Sequence, residues 1–308
     1  MTKKGSFFGA AFALGCVGAI GLSQRADAQT ILGTAESFAV LGASTVTNTG
    51  ATTINGNLGV DPGTAITDLA GISLTGTSYA ADAVGLQAQT DEKNAYNSLA
   101  ALPSTANLTS TGTLGGLSLT PGVYTFNSSA QLTGALTLNF TAPNQEFVFQ
   151  IGSTLTTASA SSVIIVGGNS TDGVFFQVGS SATLGSGTSF EGNILADTSI
   201  TLTTGATILC GRALAQTGAV TMDANTISNN CGSQGSSISD HGSVGYSGGN
   251  FVNTGYTGPG FSGVPSGGGV TAPEIAPASA ASGLTLLLGS LLVLRGRLRV
   301  QPRRSSLA

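Results

Sequence analysis

Three copies of one pattern stand between Val174 and Asn230: Ala182-Thr183-Leu184, Ile200-Thr201-Leu202 and Val220-Thr221-Met222. Because side chains alternate along a strand, the apolar residues of each copy point to one side and the threonine points to the other. The copies recur about every nineteen residues, a period typical of stacked coils. Equivalent residues of such coils lie about 4.7–4.9 Å apart. The sequence therefore predicts an all-β solenoid that carries an ordered ladder of threonines on its outer face.

The composition favours the same fold class. Glycine accounts for 46 of 308 residues and charged residues for 8%, whereas about 25% of a typical globular chain is charged. A disordered chain would combine high net charge with few β-branched residues, but this chain is rich in Thr, Val and Ile and is 41% hydrophobic. A solenoid buries its core coil by coil, so one domain plus terminal signals accounts for the length.

The first 28 residues have the organisation of a signal peptide. Lys3 and Lys4 precede an apolar run from Phe7 to Leu22, and Ala26-Asp27-Ala28 has the small-x-small pattern cut by signal peptidase. Cleavage there would leave Gln29 as the first residue. The alternative is an uncleaved membrane helix at the N-terminus.

The C-terminal 36 residues, 273–308, contain a short motif, an apolar span and a basic tail. The motif is Pro273-Glu274-Ile275-Ala276-Pro277, and residues 278–294 form a predicted transmembrane segment followed by five arginines. This arrangement resembles the PEP-CTERM sorting signal of Gram-negative bacteria, which implies recognition by an exosortase-like processing enzyme. Ile275 departs from that pattern, where a proline is expected. The alternative is a simple membrane anchor, and either one predicts an exported, extracellular or cell-surface protein that is at least transiently anchored.

The charge of the predicted exported body is strongly acidic. Eight of the ten basic residues lie in the two terminal signals, so the body retains Lys93 and Arg212 against twelve acidic residues. Such a body lacks the basic surface that binds phosphates. Nucleic acid is therefore excluded as an expected partner.

Cysteine usage fits an oxidising compartment. After signal removal two cysteines remain, Cys210 and Cys231, and the repeat period places them on adjacent coils. We predict a disulfide between them that closes the last coil. The alternative is a pair of unpaired, buried thiols.

One segment breaks the strand pattern. Residues 78–102 are rich in Ala and Gln, and their apolar residues keep mostly helical spacing before Pro103. These apolar residues are Val84, Ala88, Ala95, Leu99 and Leu102. We predict one amphipathic helix along the coil stack, with Lys93, Asp91 and Glu92 on its solvated face. Residues 29–232 then form the folded body, and the Gly/Ser-rich residues 233–272 form a flexible tether.

Several motifs in fixed order resemble the ice-binding-protein-like family, also called the DUF3494 or type I ice-binding fold. They are residues 32–41, Gly56-Asn57-Leu58-Gly59-Val60, Pro121-Gly122-Val123-Tyr124, residues 190–196 and residues 211–217. The resemblance implies a discontinuous, right-handed β-helix of triangular section, with the first and last coils stacked and one long α-helix packed alongside. It also implies adsorption to ice through a flat, water-ordering face, with no chemical reaction and no cofactor.

Two ladders are candidates for that face. The first comprises the ice-binding candidates Thr154, Thr183, Thr201 and Thr221, with Thr203 beside them. The second comprises Ser189, Thr207 and Thr226. Gly185 and Asp223 interrupt the positions beside the first ladder. The alternative is that threonine is present because it suits exposed strands.

Enzymatic function is poorly supported by the residues. His241, the single histidine, lies in the predicted tether, so the body can form neither a His-based triad nor a His-rich metal site. The carboxylates at Asp61, Glu146, Glu191 and Asp197 are scattered along the chain, although paired carboxylates on a solenoid can cleave polysaccharides. We expect Glu191 and Arg212 to form a structural ion pair.

These observations predict an exported, antifreeze-like protein that binds ice and inhibits its growth or recrystallisation, or holds cells to ice. The alternative is a cell-surface adhesion or extracellular-matrix protein on the same fold, with exopolysaccharide or matrix as its partner.

Overall fold

Short parallel strands make up most of the computed structural model. It describes residues 31–168 and 172–230, together with the backbone of a small antiparallel pair at 246–247 and 250–251. The first strands are β1 (Phe38–Gly42), β2 (Thr45–Thr49), β3 (Thr52–Asn55), β4 (Asn57–Val60), β5 (Ala65–Ile66), β6 (Ile72–Leu74), β7 (Ser78–Ala80), β8 (Ala106–Asn107), β9 (Ser118–Leu119), β10 (Gly122–Phe126), β11 (Ala130–Leu132) and β12 (Ala135–Asn139). The others are β13 (Glu146–Ile151), β14 (Leu155–Thr157), β15 (Ser162–Val166), β16 (Gly173–Val178), β17 (Ala182–Leu184), β18 (Ser189–Ala196), β19 (Ile200–Leu202), β20 (Thr207–Ala215), β21 (Val220–Asp223), β22 (Thr226–Ser228), β23 (Tyr246–Ser247) and β24 (Asn250–Phe251).

Residues 31–230 form three stacks of parallel strands. We call the first the threonine sheet, whose order is β11-β14-β17-β19-β21-β2-β5. The second, the helix-side stack, runs β8-β10-β13-β16-β18-β20-β1-β4-β7. The third stack runs β9-β12-β15-β18-β20-β22-β3-β6, because the long strands β18 and β20 belong to both. The expected mostly-β fold with parallel strands is thus confirmed.

The order of each stack is not the order of the chain. In every stack a strand from the end of the described body pairs with one from its beginning: β20 with β1, β21 with β2, and β22 with β3. We call this set of three pairings the seam. The predicted stacking of the first coils on the last coils is therefore present.

The strands enclose an apolar core. The alternating inward residues of the repeats are fully buried, as their pattern predicts. The rings of Phe149 and Phe176 stack within the core at a centroid distance of 4.6 Å, and the ring of Phe190 lies 4.7 Å from that of Phe176 at an angle of 56°. A second apolar cluster lies between the helix-side stack and the helix, where Phe175, Leu195 and Leu214 meet Ala88 and Leu99.

The single α-helix of the described residues, α1 (Ala83–Ala100), packs on the helix-side stack. The predicted start at residue 78 is wrong, because Ser78–Ala80 pair with β4 as β7. The helix begins after Asp82, whose carboxylate accepts a hydrogen bond from the backbone N of Gly85 at 2.8 Å. Its C-terminal end is held by the Gln150 amide, which donates to the carbonyls of Leu99 and Leu102 at 2.8 Å each.

The buried face of α1 also differs from the prediction. Val84 is 45% exposed, whereas Glu92 is fully buried together with Gly85, Ala88, Ala95 and Leu99. Glu92 follows Ala88 at four residues, so helical spacing alone places it on the apolar face. The prediction that Glu92 is solvated was wrong because it followed residue type instead of position.

Several predictions lie partly or wholly outside the described residues. The signal peptide, the sorting motif and the 278–294 segment are outside, and within 233–272 only the backbone of β23 and β24 is described. No helix in the described part of the chain is long and apolar enough to span a membrane.

Cys210 is disulfide-bonded, and its predicted partner Cys231 falls outside the described residues, so that pairing stays a prediction.

The predicted ion pair between Glu191 and Arg212 is wrong. A register shift between Glu191 and Asn193 places Glu191 opposite Leu209 in the third stack and Arg212 opposite Asn193 in the helix-side stack. Arg212 instead donates to the side-chain oxygen of Asn193 at 2.9 Å and to the backbone carbonyl of Glu36 at 2.8 Å.

Candidate functional site

The threonine sheet aligns six threonines, five from consecutive strands and one that directly follows the edge strand β5. Strand pairing sets Thr156 opposite Thr183, then Thr201, then Thr221, then Thr47, and Thr67 directly follows Ile66, which pairs with Val46. We call Thr156, Thr183, Thr201, Thr221, Thr47 and Thr67 the threonine column. At about 4.8 Å per step it extends for about 24 Å. Beyond Thr156 the next positions are Gln131 and then Thr113.

The column stands on a rigid base. All of its threonines except Thr67 lie exposed or half-exposed within strands, and their inward neighbours, such as Ile200, Val220 and Val46, are buried. Branching at Cβ restricts χ1, and pairing on both sides fixes the backbone. The hydroxyl of Thr47 donates to that of Thr221 at 3.1 Å across the seam. The methyl and hydroxyl groups are therefore held in a fixed array before any ligand arrives.

Thr154 does not belong to this column, contrary to the prediction. It precedes β14, and its hydroxyl donates to that of Ser129 at 2.8 Å in a flanking column. Thr156 takes the predicted place. Thr156 lies 27 residues before Thr183, the same offset that pairs Phe149 with Phe176, whereas Thr154 lies 29 residues before Thr183 and is two positions out of register.

Thr203 lies beside the column, but its hydroxyl is engaged by the protein. It donates to the carbonyl of Leu184 at 2.8 Å. The carboxylate of Asp223, expected to hydrate strongly, accepts a hydrogen bond from the hydroxyl of Thr204. Among the described residues no hydrogen-bond partner is recorded for the hydroxyls of Thr183 and Thr201. The central column is therefore better prepared for external water than the position of Thr203.

The second predicted ladder is also in register. Ser189, Thr207 and Thr226 face one another along the third stack, and the hydroxyl-bearing series continues through neighbouring strands. The added members are Ser162, Thr53 and Ser73. Ser189, Thr207 and Thr226 therefore form a ladder on a different sheet from the threonine column.

The surroundings of the second ladder are irregular. The adjacent outward positions include Ile164, which is 44% exposed, then Glu191 and Leu209. Partial burial raises the pKa of Glu191, although the backbone N–H of Ile165 donates to its carboxyl and partly offsets the rise. A face that mixes an exposed aliphatic chain and a carboxyl with hydroxyls has no uniform pattern for ordering water.

Three members of the column, Thr47, Thr67 and Thr156, were not predicted from the sequence. A signal for Thr47 was present, because Thr45, Thr47 and Thr49 alternate with Val46 and Asn48 as expected for an exposed strand. The pairing of β2 with β21 was not visible, because Thr47 and Thr221 are 174 residues apart.

The scattered carboxylates do not assemble a reaction centre. Burial raises the pKa of Glu146 well above its ordinary value, and the neighbouring charge of Asp172 adds to the effect. Asp197 lies near the buried Glu92, and Asp61 is buried after β4. Paired carboxylates of a glycosidase must flank a substrate, but Asp172 and Glu92 are fully buried. In residues 31–168 and 172–230 no group of three or more His, Cys, Asp or Glu side chains could hold a metal ion.

Comparison with known proteins places this geometry in context. An ice-binding protein of Nostoc sp. (strain HG1) is 59% identical over 208 residues, covering 67% of this chain and 77% of that protein. The crystal structure of an ice-binding protein from the Antarctic ascomycete Antarctomyces psychrotrophicus superposes with a TM-score of 0.61 at 39% identity, covering 65% of this chain and 98% of that one. An ice-binding protein from an Antarctic biological consortium gives 0.60 at 44% identity, covering 66% and 93%.

The family match covers the three parallel stacks and helix α1. The sequence model described as ice-binding-like matches residues 40–228, from β1 to the end of β22. More than half of the chain is included, and the chain belongs to the ice-binding-like family.

Proposed function

We propose that this protein binds ice through the threonine column and thereby inhibits ice growth or recrystallisation. The observation that carries the proposal is the alignment of six threonines in register on one sheet. We also infer the finer architecture, a right-handed β-solenoid of triangular section, which the three parallel stacks support.

The physical basis is preorganisation. The threonine side chains have little rotamer freedom left to lose, so ordering water on them costs little entropy. A water-mediated contact is individually weak, but many of them made at once on a rigid plane add up. Adsorption of this kind requires no chemical step and no cofactor.

The threonine sheet is the best of the three surfaces for this role. The helix-side stack is covered by α1, and the outer positions of the third stack mix hydroxyls with Ile164, Glu191 and Leu209. The threonine column has an unbroken series of one residue type at a constant step. We therefore assign ice contact to the threonine column and retain Ser189, Thr207 and Thr226 as the second candidate face.

A matched pair of substitutions tests this assignment. Thr201→Tyr places a bulky ring in the middle of the column, and Thr226→Tyr places the same ring in the ladder of the third stack. Single ice crystals grown in solutions of each folded variant should lose faceting and the thermal hysteresis gap with Thr201→Tyr and retain both with Thr226→Tyr. The opposite result would move the site to the third stack. Round, freely growing crystals with the unmodified protein would refute ice binding.

The terminal segments complete the proposal. We propose that signal peptidase removes residues 1–28 and that residues 273–308 direct membrane insertion and cutting by an exosortase-like enzyme, which gives an extracellular or surface-associated protein. The Cys210–Cys231 disulfide belongs to the same proposal.

The alternative role in adhesion or in an exopolysaccharide matrix gains no support from the comparisons.

A further inference from the structure

The threonine column is assembled from two distant parts of the chain. Thr156, Thr183, Thr201 and Thr221 come from one continuous run of repeats, while Thr47 lies on β2 and Thr67 directly follows β5, both near the beginning. Within the threonine sheet, the two parts meet at the pairing of β2 with β21. The register in which the N-terminal strands dock therefore decides which of their residues continue the column.

The outward pattern of β2 does not specify that register by itself. Thr45, Thr47 and Thr49 all point outward, so a slip of two residues would still set a threonine opposite Thr221. It would also displace the N-terminal strands by about 6.6 Å along the sheet, since a strand rises about 3.3 Å per residue. Some contact outside the threonine sheet must favour the observed alignment.

Arg212 makes such a contact. It is 1% exposed and is among the largest fully buried side chains of the described body. Its Nε donates to the carbonyl of Glu36 at 2.8 Å, in the 3₁₀ segment Gly33–Ser37 that leads directly into β1. Its Nη1 donates to Asn193 Oδ1 at 2.9 Å, and Asn193 Nδ2 donates to the carbonyl of Val174 at 3.0 Å.

This series of hydrogen bonds crosses several strands. It runs from β16 through β18 and β20 to the segment before β1, and so ties the N-terminal strands to the interior of the continuous repeats. Asn229 adds to it from the end of the body, donating from Nδ2 to the carbonyls of Glu36 and Ser37 at 3.2 Å each. The planar guanidinium donates in two fixed directions, which a lysine ammonium on a flexible chain does not reproduce.

We propose that Arg212 is a positioning residue of the binding face: its buried guanidinium fixes the register of the seam, so that Thr47 and Thr67 extend the threonine column. The importance of this register for ice binding rests on the proposed function, but the register itself can be measured without ice. Lys93, the other cation of the predicted body, is exposed on α1 and takes no part.

The test uses the full chain with threonine methyl groups labelled for NMR. Adjacent methyls of the column lie close enough for a through-space cross-peak. In Arg212→Met, which keeps much of the apolar length but loses the donors, we expect loss of the Thr47–Thr221 cross-peak while the Thr183–Thr201 cross-peak persists. Lys93→Met is the matched control and should retain both. A Thr47–Thr221 cross-peak at full intensity in folded Arg212→Met would overturn the proposal.

Ice activity supplies a second readout. Thr47→Tyr should lower thermal hysteresis in the unmodified background and have no further effect in the Arg212→Met background, whereas Thr201→Tyr should lower it in both. Equal effects of Thr47→Tyr in the two backgrounds would contradict the proposal. If the unmodified protein has no hysteresis, the proposed function fails and the cross-peaks alone decide the role of Arg212.

A second variant covers the case in which Arg212→Met does not fold. Arg212→Lys keeps the charge but not the two-directional geometry, and the same selective loss of the Thr47–Thr221 cross-peak is expected. Unfolding of both variants throughout the continuous repeats would also count against the proposal, because Arg212 would then support the whole fold instead of positioning one part of it.

Discussion

The buried carboxyl of Glu92 should make the protein less stable as pH rises. Glu92 is fully buried under α1, and neither carboxyl oxygen has a hydrogen-bond partner among the described residues. Burial raises its pKa well above the ordinary 4.5, and the nearby charge of Asp197 adds to the rise. The neighbouring Gln216 amide opposes it, although its Nε2 also lacks a hydrogen-bond partner in the described part of the chain.

The sign and size of the effect follow from proton binding. Below the unfolded pKa both states hold the proton and Glu92 contributes no pH dependence. Above it the unfolded state releases the proton while the folded state keeps it, so the free energy of unfolding falls as pH rises. The fall is at most about 1.4 kcal/mol per pH unit until the folded pKa is reached. Between pH 5 and 7 the contribution of Glu92 is thus at most about 2.7 kcal/mol.

Glu92→Gln removes this dependence because the amide does not titrate. Urea unfolding followed by circular dichroism at pH 5, 6 and 7 should show the variant gaining stability relative to the unmodified protein as pH rises. Lys93→Gln, a change of charge on the exposed side of the same helix, should leave the slope unaltered. A Glu92→Gln variant with the same slope as the unmodified protein would refute the argument that this carboxyl is held neutral by burial.

Three further predictions follow from the packing and the register. Gln131→Thr fills the gap between Thr156 and Thr113 and should raise thermal hysteresis with little change in stability; unchanged hysteresis would limit the active column to its six threonines. Phe176→Ala removes the middle ring of the core stack and should lower the free energy of unfolding by about 3–5 kcal/mol in urea titrations. Gln150→Ala removes the donor to the carbonyls of Leu99 and Leu102 and should destabilise by about 1–3 kcal/mol, with faster amide exchange confined to the last turn of α1.

The sequence predicted the fold through local periodicity. Threonines 183, 201 and 221 lie in three clear repeats, and the strands that contain them pair as the alternation of apolar and polar residues requires. The break in that alternation likewise revealed a helix. Helical spacing was sufficient to place Glu92 on the buried face, but the expectation that charged residues are solvated was given more weight.

Periodicity did not fix every position along a strand. Thr154 and Thr156 both fit the alternation around Leu155, so alternation alone did not show that Thr156 is the residue opposite Thr183. Residue type favoured a pair between Glu191 and Arg212, but Glu191 lies before Gly192, whose φ is +117°, in the third-stack part of β18, and Arg212 lies in the helix-side part of β20. Neither feature alters the composition or the alternation of the flanking strands, so neither leaves a local signal.

Local sequence patterns are enough to predict that parallel strands stack with their apolar residues inward and carry threonines outward, because the two-residue alternation of a strand acts over a few neighbouring positions. Long-range packing is needed to show that Thr47 and Thr67 continue the column of Thr221, and that a buried arginine joins the two parts. Thr47 and Thr221 are 174 residues apart. Their pairing depends on which strand edge of the continuous repeats is available to β2, and on contacts such as that of Arg212 with Glu36. Neither is encoded in a local sequence pattern.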